Sequence, residues 1–196
     1  MKKVLILSSI ILAASCAKKV ESAQVDISSS EETELPYELT QDKYNELLDA
    51  YKLPDQPVYT NGKKVDPENI IDANSNDIED GWEREIVFKY YEDLVKVNLY
   101  MSNAHAETKL TKLYIEGDSS QFQELFNEAN LSFSCLAYLK GEIDSDINLF
   151  MVKNPENKDF ILKRDSAITK VVGGGMDFGI YPEECDKYKD ANLWKQ

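Results

Sequence analysis

Trp82 to Ile115 reads WEREIVFKYYEDLVKVNLYMSNAHAETKLTKLYI, without a glycine or a proline. Trp82, Ile86, Tyr90, Leu94, Val97, Met101, Ala104 and Thr108 recur every three or four residues, which is the spacing of one helical face. Val87, Tyr91, Val95 and Leu99 widen that stripe, so the segment must be contacted on more than one side. The pattern predicts one long helix, with a break near Ser102-Asn103, where both side chains compete for backbone hydrogen bonds, and a stop at Gly117.

The flanks repeat the theme. Downstream, Asp118 with Gln121 suggests a capping box, and Phe122, Leu125, Phe126, Ala129, Phe133 and Leu136 form an apolar face that runs to Gly141. Ile147 to Val152 is apolar but too short to assign. Asn154-Pro155 is expected to open another helix ending at Gly173, with a last turn or two between Glu183 and Trp194. Upstream, Thr40 offers an N-cap for a helix from Gln41 to Leu53, whose apolar face is Tyr44, Leu47, Leu48 and Tyr51. Asn61-Gly62 could turn a small β-hairpin near 58–65. The fold class expected is therefore mostly α: a single helical domain over 37–196, with about four to six helices.

The first residues carry a different message. Lys2 and Lys3 precede an apolar run from Val4 to Leu12, then Ala13-Ala14-Ser15 and Cys16. The run is about half of the ~20 residues that a membrane-spanning helix needs, so it reads as an export signal over 1–15. A small-residue triplet before cysteine resembles the lipobox of bacterial lipoproteins. That resemblance covers about the first twenty residues and implies cleavage before Cys16, lipid (palmitate among the acyl chains) on Cys16, and a place in the cell envelope. Ala17 resembles the outer-membrane sorting default. From Cys16 to Pro36 the sequence is rich in Ser and Glu and lacks aromatics, the composition of a disordered tether.

Charge and cysteines narrow the functions. A formal net charge of −14 repels phosphate backbones and anionic head groups, so nucleic acid is not an expected partner and membrane contact should run through the lipid anchor. The field suits a cationic or neutral envelope protein, with the chain as an inhibitor, immunity or assembly factor. In an oxidising compartment Cys135 and Cys185 are the even pair left after Cys16, and one bridge between them would stabilise by ~3–4 kcal/mol.

Catalytic patterns are sparse. His105 is the only histidine, so His-based metal or hydrolase chemistry would rest on it alone. Gly173-Gly174-Gly175 with Gly179 follows a helix instead of opening one, unlike a phosphate cradle. With 36 acidic residues, no chosen pair of carboxylates is informative. A non-enzymatic binding module without a cofactor is the expectation, and an envelope enzyme working through acidic residues is the rival.

The most specific pattern is Asp72-Ala73-Asn74-Ser75-Asn76-Asp77-Ile78-Glu79-Asp80-Gly81-Trp82-Glu83. Oxygen side chains at positions 1, 3, 5, 9 and 12 resemble the EF-hand loop, which implies calcium on Asp72, Asn74, Asn76, Asp80 and Glu83. Two positions depart from it: Asp77 stands where the turning glycine belongs, and Glu79 where an apolar residue belongs. The helix entering the loop would also be short, Pro67 to Ile71. These departures favour a plainer reading, a polar loop that caps the long helix with Asp80 as N-cap and Glu83 three residues on in a capping box.

Overall fold

The computed structural model describes residues 39–58, 66–141, 157–173 and 182–195. The leader, Cys16, the tether, most of the 58–65 hairpin, the 147–152 run, Asn154-Pro155 and the glycines from Gly174 to Gly179 lie outside them. The described residues form α1 (Gln41–Tyr51), α2 (Asp80–Tyr90), α3 (Leu94–Glu116), α4 (Phe122–Lys140), α5 (Lys158–Val172) and α6 (Pro182–Cys185), followed by a 3-10 turn over Asp186–Lys189. Helices dominate, and no strand occurs among the described residues. All belong to the unit Leu35–Gln196. No helix among them is long and apolar enough to cross a membrane.

Local chemistry explains most of the helix ends. The Thr40 hydroxyl accepts a hydrogen bond from the Lys43 N–H at 3.2 Å and starts α1. Gly117, Gly141 and Gly173 close α3, α4 and α5 in the left-handed conformation, with φ of 73°, 66° and 78°.

Three expectations need correction. The long helix is two helices, because the chain turns at Tyr91 to Asp93 and the Asp93 carboxylate accepts the Lys96 N–H at 3.2 Å, capping a new start. An interruption this short leaves the apolar spacing almost unchanged, so periodicity alone did not register it. The helix continues through Ser102 and Asn103, whose side chains are spent on tertiary bonds: Ser102 Oγ accepts from Trp194 Nε1 at 3.3 Å, and Asn103 Nδ2 donates to the Ala129 carbonyl at 3.4 Å. At α4 the Asp118–Gln121 capping box does not form. Asp118 instead accepts the Ser120 N–H at 2.8 Å, and Gln121 holds the N-cap position without a side-chain bond.

α3 is the central element. Every residue from Val97 to Ala104 is buried, because α2, α4 and the C-terminal segment cover it from different sides. Val97, Leu99, Tyr100 and Met101 meet Trp82, Ile86 and Val87 of α2 and Leu136 of α4 in one core. Farther along, Leu110 joins Phe122, Leu125 and Ile168 in a second cluster. α5 is also held polarly, since buried Arg164 reaches Glu107 and Thr111 of α3, each at 2.8 Å. The C-terminal segment is docked by Asn98, whose amide donates to the carbonyls of Tyr188 and Asp190 at 2.9 and 2.8 Å. It is also covalently joined to α4 through the Cys135–Cys185 disulfide, buried at both sulfurs' residues.

Candidate functional site

The 72–83 segment folds into a tight loop at the start of α2 and lies against α3. Buried Ile78 enters the main core, and Thr108 Oγ1 on α3 accepts the Glu79 N–H at 3.2 Å. Within the loop, short polar side chains hold the backbone turns, as Asx residues do in general. Asp72 accepts the N–H groups of Asn76 and Asp77 at 3.1 and 3.2 Å. Asn74 Oδ1 accepts from Asn76 N at 3.3 Å, and Asn76 Oδ1 accepts from Ile78 N at 2.9 Å.

The two sequence departures from a calcium loop have structural answers. Asp77 at the glycine position takes φ 64°, and Ser75 takes φ 58°. A short Asp side chain tolerates this left-handed region better than most residues, so the turn survives without glycine. The apolar anchor has moved one position, from Glu79 to Ile78. Glu79 is then free to cap α2, accepting the Trp82 N–H at 2.8 Å.

That cap corrects the plainer reading of the loop. Asp80 is inside α2, not at its N-cap, and its two carboxylate oxygens accept the Ala73 N–H at 3.0 and 3.1 Å. Nor does Glu83 reach back to the Asp80 N–H, which donates to the Ile71 carbonyl at 2.8 Å. The Glu83 carboxylate points into the loop instead. Its two oxygens accept from the amides of Asn74 and Asn76 at 3.0 and 2.8 Å. Asn74, Asn76 and Glu83 therefore converge, with Asp72 adjoining through the turn that it holds.

The electrostatics of this convergence are unfavourable. Glu83 and Asp80 are each 1% exposed. Burial first, and then the neighbouring charges of Asp80 and Asp72, push the Glu83 carboxyl up to about 7, although the two asparagine amides oppose the rise. Asp80 is pushed up to about 6 by burial and by Asp72, against the Ala73 N–H and the charges of Arg84 and Lys112. Among the described residues no ion pair reaches either carboxylate. The lysines nearest the loop pair with its other acids: Lys112 Nζ of α3 lies 2.6 Å from Asp72 and 3.2 Å from Asp77, and Lys109 Nζ lies 3.7 Å from Asp77. Burial pulls upward on Asp77 as well, but the Lys112 ammonium outweighs it and holds that carboxyl below its ordinary value.

Among the described residues no three Asp, Glu, His or Cys side chains close on one point as a ready-made metal cage. What converges on Glu83 is a pair of amide NH2 groups, while the two asparagine oxygens accept the N–H groups of Asn76 and Ile78.

His105 lies 3.2 Å from Glu128 Oε1, with its ring 5.7 Å from that of Trp194, so it faces a carboxylate and an indole, not a nucleophile. An open groove of about 550 Å³ between the 66–68 segment, α3 and α5 is lined by Asp66, Glu68, Tyr114, Phe160 and Lys163, and none of its described lining residues is Ser, Cys or His. No protein-family model matches the chain, and neither a curated protein nor a solved structure matches it.

Proposed function

We propose that this chain is a non-enzymatic, lipid-anchored protein of the bacterial cell envelope whose helical domain binds calcium in the 72–83 loop. The observation that carries the calcium reading is the inward turn of the Glu83 carboxylate, onto Asn74 and Asn76 and away from the helix cap. A buried carboxylate held by two neutral amides, without an ion pair of its own, is costly, and a divalent ion would supply charge at it. Asp72, Asn74, Asn76, Asp80 and Glu83 would be its side-chain ligands. Binding would require both asparagine amides to leave Glu83, to which they now donate, and to present their oxygens instead.

The test is thermal unfolding in EDTA and in 10 mM calcium. For a Kd between 0.1 and 1 mM, binding to the folded state alone adds about 1–3 kcal/mol, which raises Tm by several degrees for a chain of this size. The shift is expected in wild type and lost in Glu83→Gln. An equal Tm in calcium and EDTA would falsify the reading and leave the loop as a structural lid on α2.

The envelope reading rests on Lys2, Lys3, the apolar run after them, and Ala13-Ala14-Ser15-Cys16. Cys16→Ala is expected to remain unprocessed and unlipidated in cells, because the thiol is the lipid's point of attachment. Labelled fatty acid on the variant would sink it. The charge of −14 favours a cationic or neutral partner protein, and pull-downs in calcium and in EDTA read whether one engages the loaded domain.

A further inference from the structure

We draw no further inference here: the strongest candidate, the open groove between the 66–68 segment, α3 and α5, brings the carboxylates of Asp66 and Glu68 together with the ammonium of Lys163 around Tyr114 and Phe160, so its charge selects no one ligand, and nothing in the structure shows what covers it.

Discussion

Reduction of the Cys135–Cys185 bridge is expected to lower the unfolding free energy by ~3–4 kcal/mol, the value for a closed loop of this length in the chain-entropy model. The bridge spans 50 residues and fastens the short C-terminal segment to α4. What else holds that segment is modest: the two Asn98 bonds to Tyr188 and Asp190, burial of Tyr188, and the Trp194 contact with Ser102. Loss of the covalent tie should therefore free residues 182–195 before the remaining helices unfold. Urea unfolding with and without reductant, followed by tryptophan fluorescence, reads both effects, because Trp194 lies in the freed segment and Trp82 in the core. A Cys135→Ala/Cys185→Ala variant should lose its sensitivity to reductant. Coincident unfolding curves for the oxidised and reduced wild type would refute the assignment of stability to the bridge.

Metal-free stability should fall as pH rises from about 4.5 to about 7, through the titration of Glu83. In the fold its carboxyl is pushed up to about 7 from an ordinary 4.5, chiefly by burial. Below the ordinary value both the folded and unfolded states carry the proton and the group contributes nothing. Between the two values the folded state keeps a proton that the unfolded state has lost, so raising the pH favours unfolding. Above about 7 the buried carboxylate is ionised and the penalty is complete, up to about 3 kcal/mol. Asp80, pushed up to about 6, acts in the same direction. Asp77 and Asp93, held low by their lysine partners although burial opposes this, act oppositely and only at lower pH. Comparison with Glu83→Gln isolates the one group. In EDTA the variant should match wild type near pH 4.5 and exceed it near pH 8. A difference that does not change with pH would place the Glu83 carboxyl outside the buried loop.

The same burial predicts which way calcium would act if the loop binds it. A cation bound at the ionised carboxylate would remove the penalty, so any gain from calcium should be larger at pH 8 than at pH 5.

The helical class was legible in the sequence because it depends on repeats of three and four residues and on local end signals, both of which survive without tertiary knowledge. Thr40 as a cap and Gly117, Gly141 and Gly173 as stops are of this kind. The oxygen spacing from Asp72 to Glu83 was equally readable. Which of those oxygens face one another was not, since the same acids can cap a helix or line a loop, and only the position of the neighbouring helix chooses. Glu79 could take over the cap because Thr108 of α3 holds its N–H and Ile78 beside it is drawn into the core. That left Glu83 to turn inward. Lys112 is forty residues from Asp72 and has no sequence pattern to connect them. Likewise, the break at Asp93 is decided by one carboxylate, which also meets Lys140 of α4 at 2.6 Å. By itself the sequence determined the helices, their stops and the order of oxygens in the loop, all set by neighbours a few residues away. Only the tertiary structure decided which carboxylate is buried, which is paired and which faces the loop, because charge and burial depend on groups brought together from distant parts of the chain.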